Sequence, residues 1–158
     1  MSIINRILTY ALGLFLISAG AAKFTGGHVF QYIQHRSGID VFYPYVNYAT
    51  GVAEIVIGLL IMVPATRRLG AYGAAALMAG AIGFHLSPWL GVSIPTGLAD
   101  GAAAPWTDAD FATTSTSVTF VLAIVALVRS AVIIRTERRV DPVAAGQDSA
   151  DAPAAVTA

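Results

Sequence analysis

Four apolar runs, at 3–24, 48–63, 69–86 and 114–134, alternate with polar punctuation along the chain. A hydrocarbon core of about 30 Å takes on the order of 17 to 25 helical residues, so the pattern predicts an all-α polytopic membrane protein built as a four-transmembrane-helix bundle. Between the first two runs, the segment HVFQYIQHRSGIDVFYPY mixes aromatic and polar residues, with Gly38 as a breaker and Phe42, Tyr43, Tyr45 and Tyr48 gathered before the second span. Flat rings with wet tips suit a membrane interface, and a short interfacial helix over 28–36 is expected at the outer mouth of the bundle. Pro64 and the turn ATRR leave spans two and three no arrangement but antiparallel neighbours. Span three carries Gly70, Gly73, Ala76, Gly80 and Gly83, small residues that permit close backbone approach, and should be the most buried helix.

The outer loop over 87–113 is rich in Gly, Pro and Ala and predicts an irregular cap, with Trp106 as an interfacial anchor. TTSTS reads as the capping sequence of span four. From Val140 on, Ala, Asp, Pro and Gln dominate, so the chain divides into a membrane domain over 1–139 and a disordered cytoplasmic tail over 140–158.

Composition fixes the solvent. The chain is 56% hydrophobic and 11% charged, against roughly 25% charged residues in soluble domains, and its apolar surface needs lipid to cover it. Formal charge is zero and no basic patch is present, which argues against nucleic-acid binding. With no cysteine the chain has no disulfide, thiolate metal site or thiol chemistry of its own. The first run is read as a span and not a cleavable signal, because its small residues Ala19, Gly20, Ala21 and Ala22 lead straight into Lys23 and Phe24.

Arg6, Arg67, Arg68, Arg135, Arg138 and Arg139 fall on one side if the helices alternate, whereas the other side keeps Lys23 and Arg36 with the acids Asp100, Asp108 and Asp110. The positive-inside rule then puts both termini in the cytoplasm and the two longer loops outside. Arg129, inside span four, is read as structural, its long stem reaching toward the cytoplasmic headgroups.

Glu54 stands on the face of span two that also carries Gly51 and Gly58. A charge facing lipid at mid-depth costs at least about 2.5 kcal/mol, so this face must meet protein or water, as a functional acid or as a structural hydrogen-bond partner. Gly13 and Gly20 likewise lie near one face of span one with Lys23 at its outer rim, where an interfacial anchor is the plain alternative. His85 closes span three. Lys23, Glu54 and His85 are thus expected in the outer half of the bilayer as a polar cleft, and Gly13, Gly20, Gly51, Gly58, Gly80 and Gly83 as helix-packing positions. His28 and His35 lack a third ligand, and the DxD at 108–110 reads as solvated loop charge, so no metal site is expected.

The order AGAAKF, GVAEIVIG and a small-residue span ending in FHL resembles the DoxX and DoxX-like membrane proteins over 8–134. The resemblance implies a four-helix bundle in the bacterial inner membrane, with Lys23, Glu54 and His85 at the family's polar positions. It also implies association with thiosulfate and quinone oxidoreduction or with complexes that resist oxidative or thiol stress.

Three functions follow as expectations. One is a subunit of a redox- or stress-associated membrane complex, with no intrinsic cofactor, that binds a quinone-like or other small molecule near Glu54 and His85. Another is a non-catalytic scaffold whose glycine-lined faces dock other membrane proteins or a second copy. The least favoured is a small-solute carrier, since no repeat or broken helix is evident.

Overall fold

The computed structural model describes residues 2–26 and 28–137. The tail from Val140 on, with Arg138 and Arg139, lies outside the described residues. Five helices follow in order, α1 (Ile3–Ala22), α2 (His28–Ser37), α3 (Asn47–Met62), α4 (Arg67–His85) and α5 (Val118–Glu137), with a short antiparallel pair, β1 (Ile94–Pro95) and β2 (Ser115–Thr116). In the membrane helices α1 packs chiefly on α3 and α4 chiefly on α5, while α3 and α4 form the joint between these pairs.

Local chemistry sets the boundaries. The Ser2 hydroxyl accepts the Asn5 N–H and starts α1. Gly38, at φ +70°, closes α2 by donating its N–H to Gln34 O at 2.8 Å, in a left-handed conformation that costs glycine little. One wide turn, Phe42–Val46, leads into α3. The TTSTS stretch does not open α5 as expected. Ser115 and Thr116 pair across to Pro95 and Ile94, and the Thr116 hydroxyl accepts the Val118 N–H, so α5 begins at Val118. Hydroxyl-bearing residues next to a second extended segment found cross-strand partners, which compete with helix formation.

Three segments, Ile3–Ala22, Phe42–Met62 and Val118–Glu137, are long and apolar enough to cross a membrane. The expected count of four is not reached on that criterion, because α4 is 19 residues long but composed largely of Gly and Ala after two arginines. It is also no more buried than α3. Leu69, Tyr72, Ala76, Ala79, Gly80 and Gly83 of α4 are exposed.

The principal core joins Leu12 and Leu16 of α1, Ile61 of α3, Ala71, Ala74 and Met78 of α4, and Ala123, Ala126 and Ile133 of α5. A second, smaller core under the outer loops gathers Ile33, Phe42, Leu90 and Ile94. Outside both, an aliphatic belt that includes Ile7, Leu14, Val56 and Val125 is exposed, as lipid contact requires.

Glycines set the closest helix contact. A Cβ on Gly20 would lie 2.5 Å from Gly51 O, and one on Gly58 2.7 Å from Gly13 O, so two glycine pairs in antiparallel register bring α1 and α3 backbone to backbone. On α4 the close positions are Gly70, where a Cβ would lie 2.7 Å from Ile61 N, and Gly73, at 3.0 Å from Ile57. Gly80 and Gly83 differ from the packing role expected of them, since no atom lies within 4 Å of a Cβ placed there. Small residues ring α4: Gly70, Gly73, Ala71 and Ala74 meet neighbours, and Gly80 and Gly83 do not.

Candidate functional site

Helical spacing puts Asn47, Gly51, Glu54, Gly58 and Ile61 on the buried face of α3. Lys23, the residue that caps the C-terminus of α1, reaches across and donates from Nζ to Glu54 Oε2 at 2.5 Å. The glycines make this reach possible, because a Cβ at Gly51 would crowd Lys23 Cβ at 3.2 Å. The side chains of Lys23 and Glu54 are 18% and 11% exposed. A pair this sheltered is screened little by salt, and removing one member strands the other charge.

Asn47, fully buried, extends the link by donating from Nδ2 to Lys23 O at 2.8 Å. Its Oδ1 has no protein partner. Phe24 stacks on Tyr48 at 5.4 Å between centroids with planes 4° apart, and Tyr43 meets both Tyr48 and Trp106. Trp106, expected as an interfacial anchor, is half-buried and packs edge-on against Tyr43.

His85 joins neither charge. It is buried, its Nδ1 lies 2.7 Å from Gly91 O, and its ring packs edge-on against Phe120. Gly70 meets Ile61 and Gly73 meets Ile57, a register that sets Leu77 opposite Glu54; at 1.5 Å per residue His85 lies on the order of 12 Å further along α4. Of the three expected cleft residues, the fold brings two together and places the third under the cap.

The other histidines hold the cap down. His28 Nε2 lies 2.9 Å from Pro95 O and His35 Nε2 lies 2.7 Å from Asp108 Oδ1. The two bonds tie both ends of α2 to the loop between α4 and α5. Asp110 closes the turn beside them: its carboxylate accepts the Thr107 N–H at 2.7 Å and the Thr107 hydroxyl at 2.9 Å, which lowers its pKa, with His35 adding to the effect. Among the described residues no three of His, Cys, Asp and Glu gather as a metal site would need.

A second polar region at the other end of the bundle was less visible in the sequence. Arg67 is buried, donates from Nε to Ile61 O at 3.0 Å, lies over the Tyr10 ring and approaches Glu137 at 3.5 Å. Arg129 folds onto α1 and donates to Asn5 O at 2.6 Å, Thr9 Oγ1 at 2.8 Å and Asn5 Oδ1 at 3.2 Å. The available signal was the pairing of arginines in spans or tight turns with Asn5, Thr9 and Tyr10 on α1. A groove of about 250 Å³ lined by Gly80, Gly83, Phe84, Ser87 and Trp89 opens at the C-terminal end of α4.

A family model described as methylamine utilisation protein MauE matches residues 1–129. No curated protein and no solved structure matches. The assignment to DoxX is corrected to that family, and what the two share, an integral membrane protein, stands. The motifs behind the resemblance, an Ala- and Gly-rich helix end with a lysine and a glycine-flanked acid, meet packing demands common to many membrane helices.

Proposed function

The chain belongs to the MauE family, and on that footing we propose that it is an integral membrane subunit of a redox-associated system of the kind that family's name describes. All four long helices cross a bacterial cytoplasmic membrane, with the termini inside, as the placement of Lys and Arg indicates. Its part is accessory: it holds a stiff outer cap, made of α2 and the 87–117 loop, for a redox partner to dock against.

The observation that carries this reading is the Lys23–Glu54 pair with its Asn47 link, which joins the end of α1 to α3 on the side of the bundle from which the cap-forming turn Phe42–Val46 leads into α3. The potential reactive groups are held by protein: Lys23 by Glu54, His85 by Gly91, His28 by Pro95 and His35 by Asp108. Mild-detergent purification from native membranes, compared between wild type and Asp108→Ala, tests it. A redox protein that co-purifies with wild type and is depleted with the variant is expected. Equal recovery from both, or wild type that emerges alone, contradicts it.

The Phe24–Tyr48 stack beside the ion pair favours one further reading, a quinone-like headgroup bound near Glu54. A quinone analogue should then raise the melting temperature of wild type and leave Glu54→Gln unmoved. No shift in either protein removes this reading and leaves the accessory role in place.

A further inference from the structure

Charge compensation differs among the three sheltered bases. Lys23 has Glu54 and Arg67 has Glu137, but Arg129 bonds only neutral acceptors, Asn5 O, Asn5 Oδ1 and Thr9 Oγ1. Among the described residues it makes no salt bridge, and its Nε is buried with no acceptor. Five N–H groups serve a guanidinium, so three bonds leave Nε–H and one Nη1 N–H over. A cation in a membrane-spanning helix demands an anion, and the position says which kind. Asn5 is the third residue of α1, so the guanidinium sits roughly 5 Å inside the start of that helix, at headgroup depth. On the same turns of α1 and α5, Ile3, Ile4, Leu8, Val125 and Val128 are exposed aliphatic side chains, as a lipid-facing surface would be.

We infer that Arg129, oriented by Asn5 and Thr9, forms a phosphate-binding site at the inner rim of the α1–α5 junction, with the phosphodiester of a phospholipid headgroup as its ligand. The guanidinium keeps its charge at any working pH, and the N–H left over on Nη1 can give a phosphate oxygen a charge-assisted hydrogen bond. Asn5 and Thr9 already hold Nη2 and the other Nη1 N–H, so little rotamer freedom is lost on binding.

The test uses the full chain in a phosphate-free maltoside detergent and buffer. Melting temperature is followed while phosphatidylglycerol, phosphatidylcholine or inorganic phosphate is added, for wild type, Arg129→Gln, Arg129→Lys and, as a control, Arg135→Gln. Wild type and Arg135→Gln should gain about 2 to 4 °C with phosphatidylglycerol, the shift a tenfold-scale binding advantage gives a chain of this size. Arg129→Gln should gain less than half of that, and Arg129→Lys an intermediate amount. A gain with inorganic phosphate alone assigns the same site to a free anion; a gain with lipid only assigns it to the headgroup. Equal gains in wild type and Arg129→Gln overturn the site. Should Arg129→Gln not fold, retention of phosphatidylglycerol by wild type and Arg129→Lys in native mass spectrometry decides: equal retention overturns it. Recovery of a second chain that depends on Arg129 and not on lipid also overturns it, in favour of a partner carboxylate.

Discussion

Lys23 and Arg129, at opposite ends of the bundle, are held in opposite ways. Lys23 meets an acid from another helix, across a contact made close by two glycine pairs. Arg129 is held by a backbone carbonyl, an amide and a hydroxyl of α1, with no acid bridging to it among the described residues. A charge enclosed by protein needs an opposite charge within the chain, whereas one at the rim can use neutral ligands because its solvent completes the set.

Glu54→Leu should do the most damage, because it leaves the Lys23 ammonium sheltered and alone, at a cost of about 3 to 5 kcal/mol in thermal or denaturant unfolding. A loss below that of an ordinary surface substitution would place the pair in water. Arg129→Leu should cost less, about 1 to 3 kcal/mol, since it removes hydrogen bonds and a charge together and strands only neutral acceptors. A larger loss than that of Glu54→Leu would reverse the comparison between the two ends.

Gly20→Ala should cost about 1 to 3 kcal/mol by forcing α1 from α3, because the new methyl meets the Gly51 carbonyl. Gly80→Ala meets nothing and should be neutral or gain about 1 kcal/mol of helix propensity. Equal effects at the two glycines, read by unfolding in the same detergent, would show that α1 and α3 are not in close contact.

The smallest effect concerns the cap. The Asp110 carboxyl has its pKa lowered from 3.8 by the Thr107 hydrogen bonds. The turn it closes is therefore fully stabilised above that ordinary value and loosens as pH falls through the lowered one. Hydrogen exchange at the Thr107 amide should accelerate in that acid window relative to a reference amide, and Asp110→Asn should abolish the pH dependence. Acceleration on the alkaline side would contradict it.

How much of this was legible in the sequence varied with distance along the chain. The α3 face could be read because Gly51, Glu54 and Gly58 follow one helical period, and the α2 helix because Gly38 and the aromatic run bound it. Lys23 and Glu54 could be placed in the same half of the bundle from span lengths alone. His85 could not be placed the same way: its partner, Gly91, comes from the loop that turns back after α4, and no periodicity encodes that return. Nor does a ring of small residues say which side meets a neighbour, which is why Gly70 and Gly73 pack while Gly80 and Gly83 stand open. The partners of the arginines were hidden for a related reason. A snorkelling stem and an interhelical clasp use the same side chain, and the choice depends on Asn5 and Thr9, more than a hundred residues away.

The central claim is that Lys23 and Glu54 form one energetic unit sheltered between α1 and α3. A double-mutant cycle with Lys23→Met, Glu54→Leu and the combined variant, unfolded reversibly in lipid nanodiscs, measures it most directly. The pair should show a coupling of about 2 kcal/mol or more, with the double variant more stable than Glu54→Leu alone. Losses that add to within about 0.5 kcal/mol would mean the two charges are independent and hydrated, and the account of the outer end would fail.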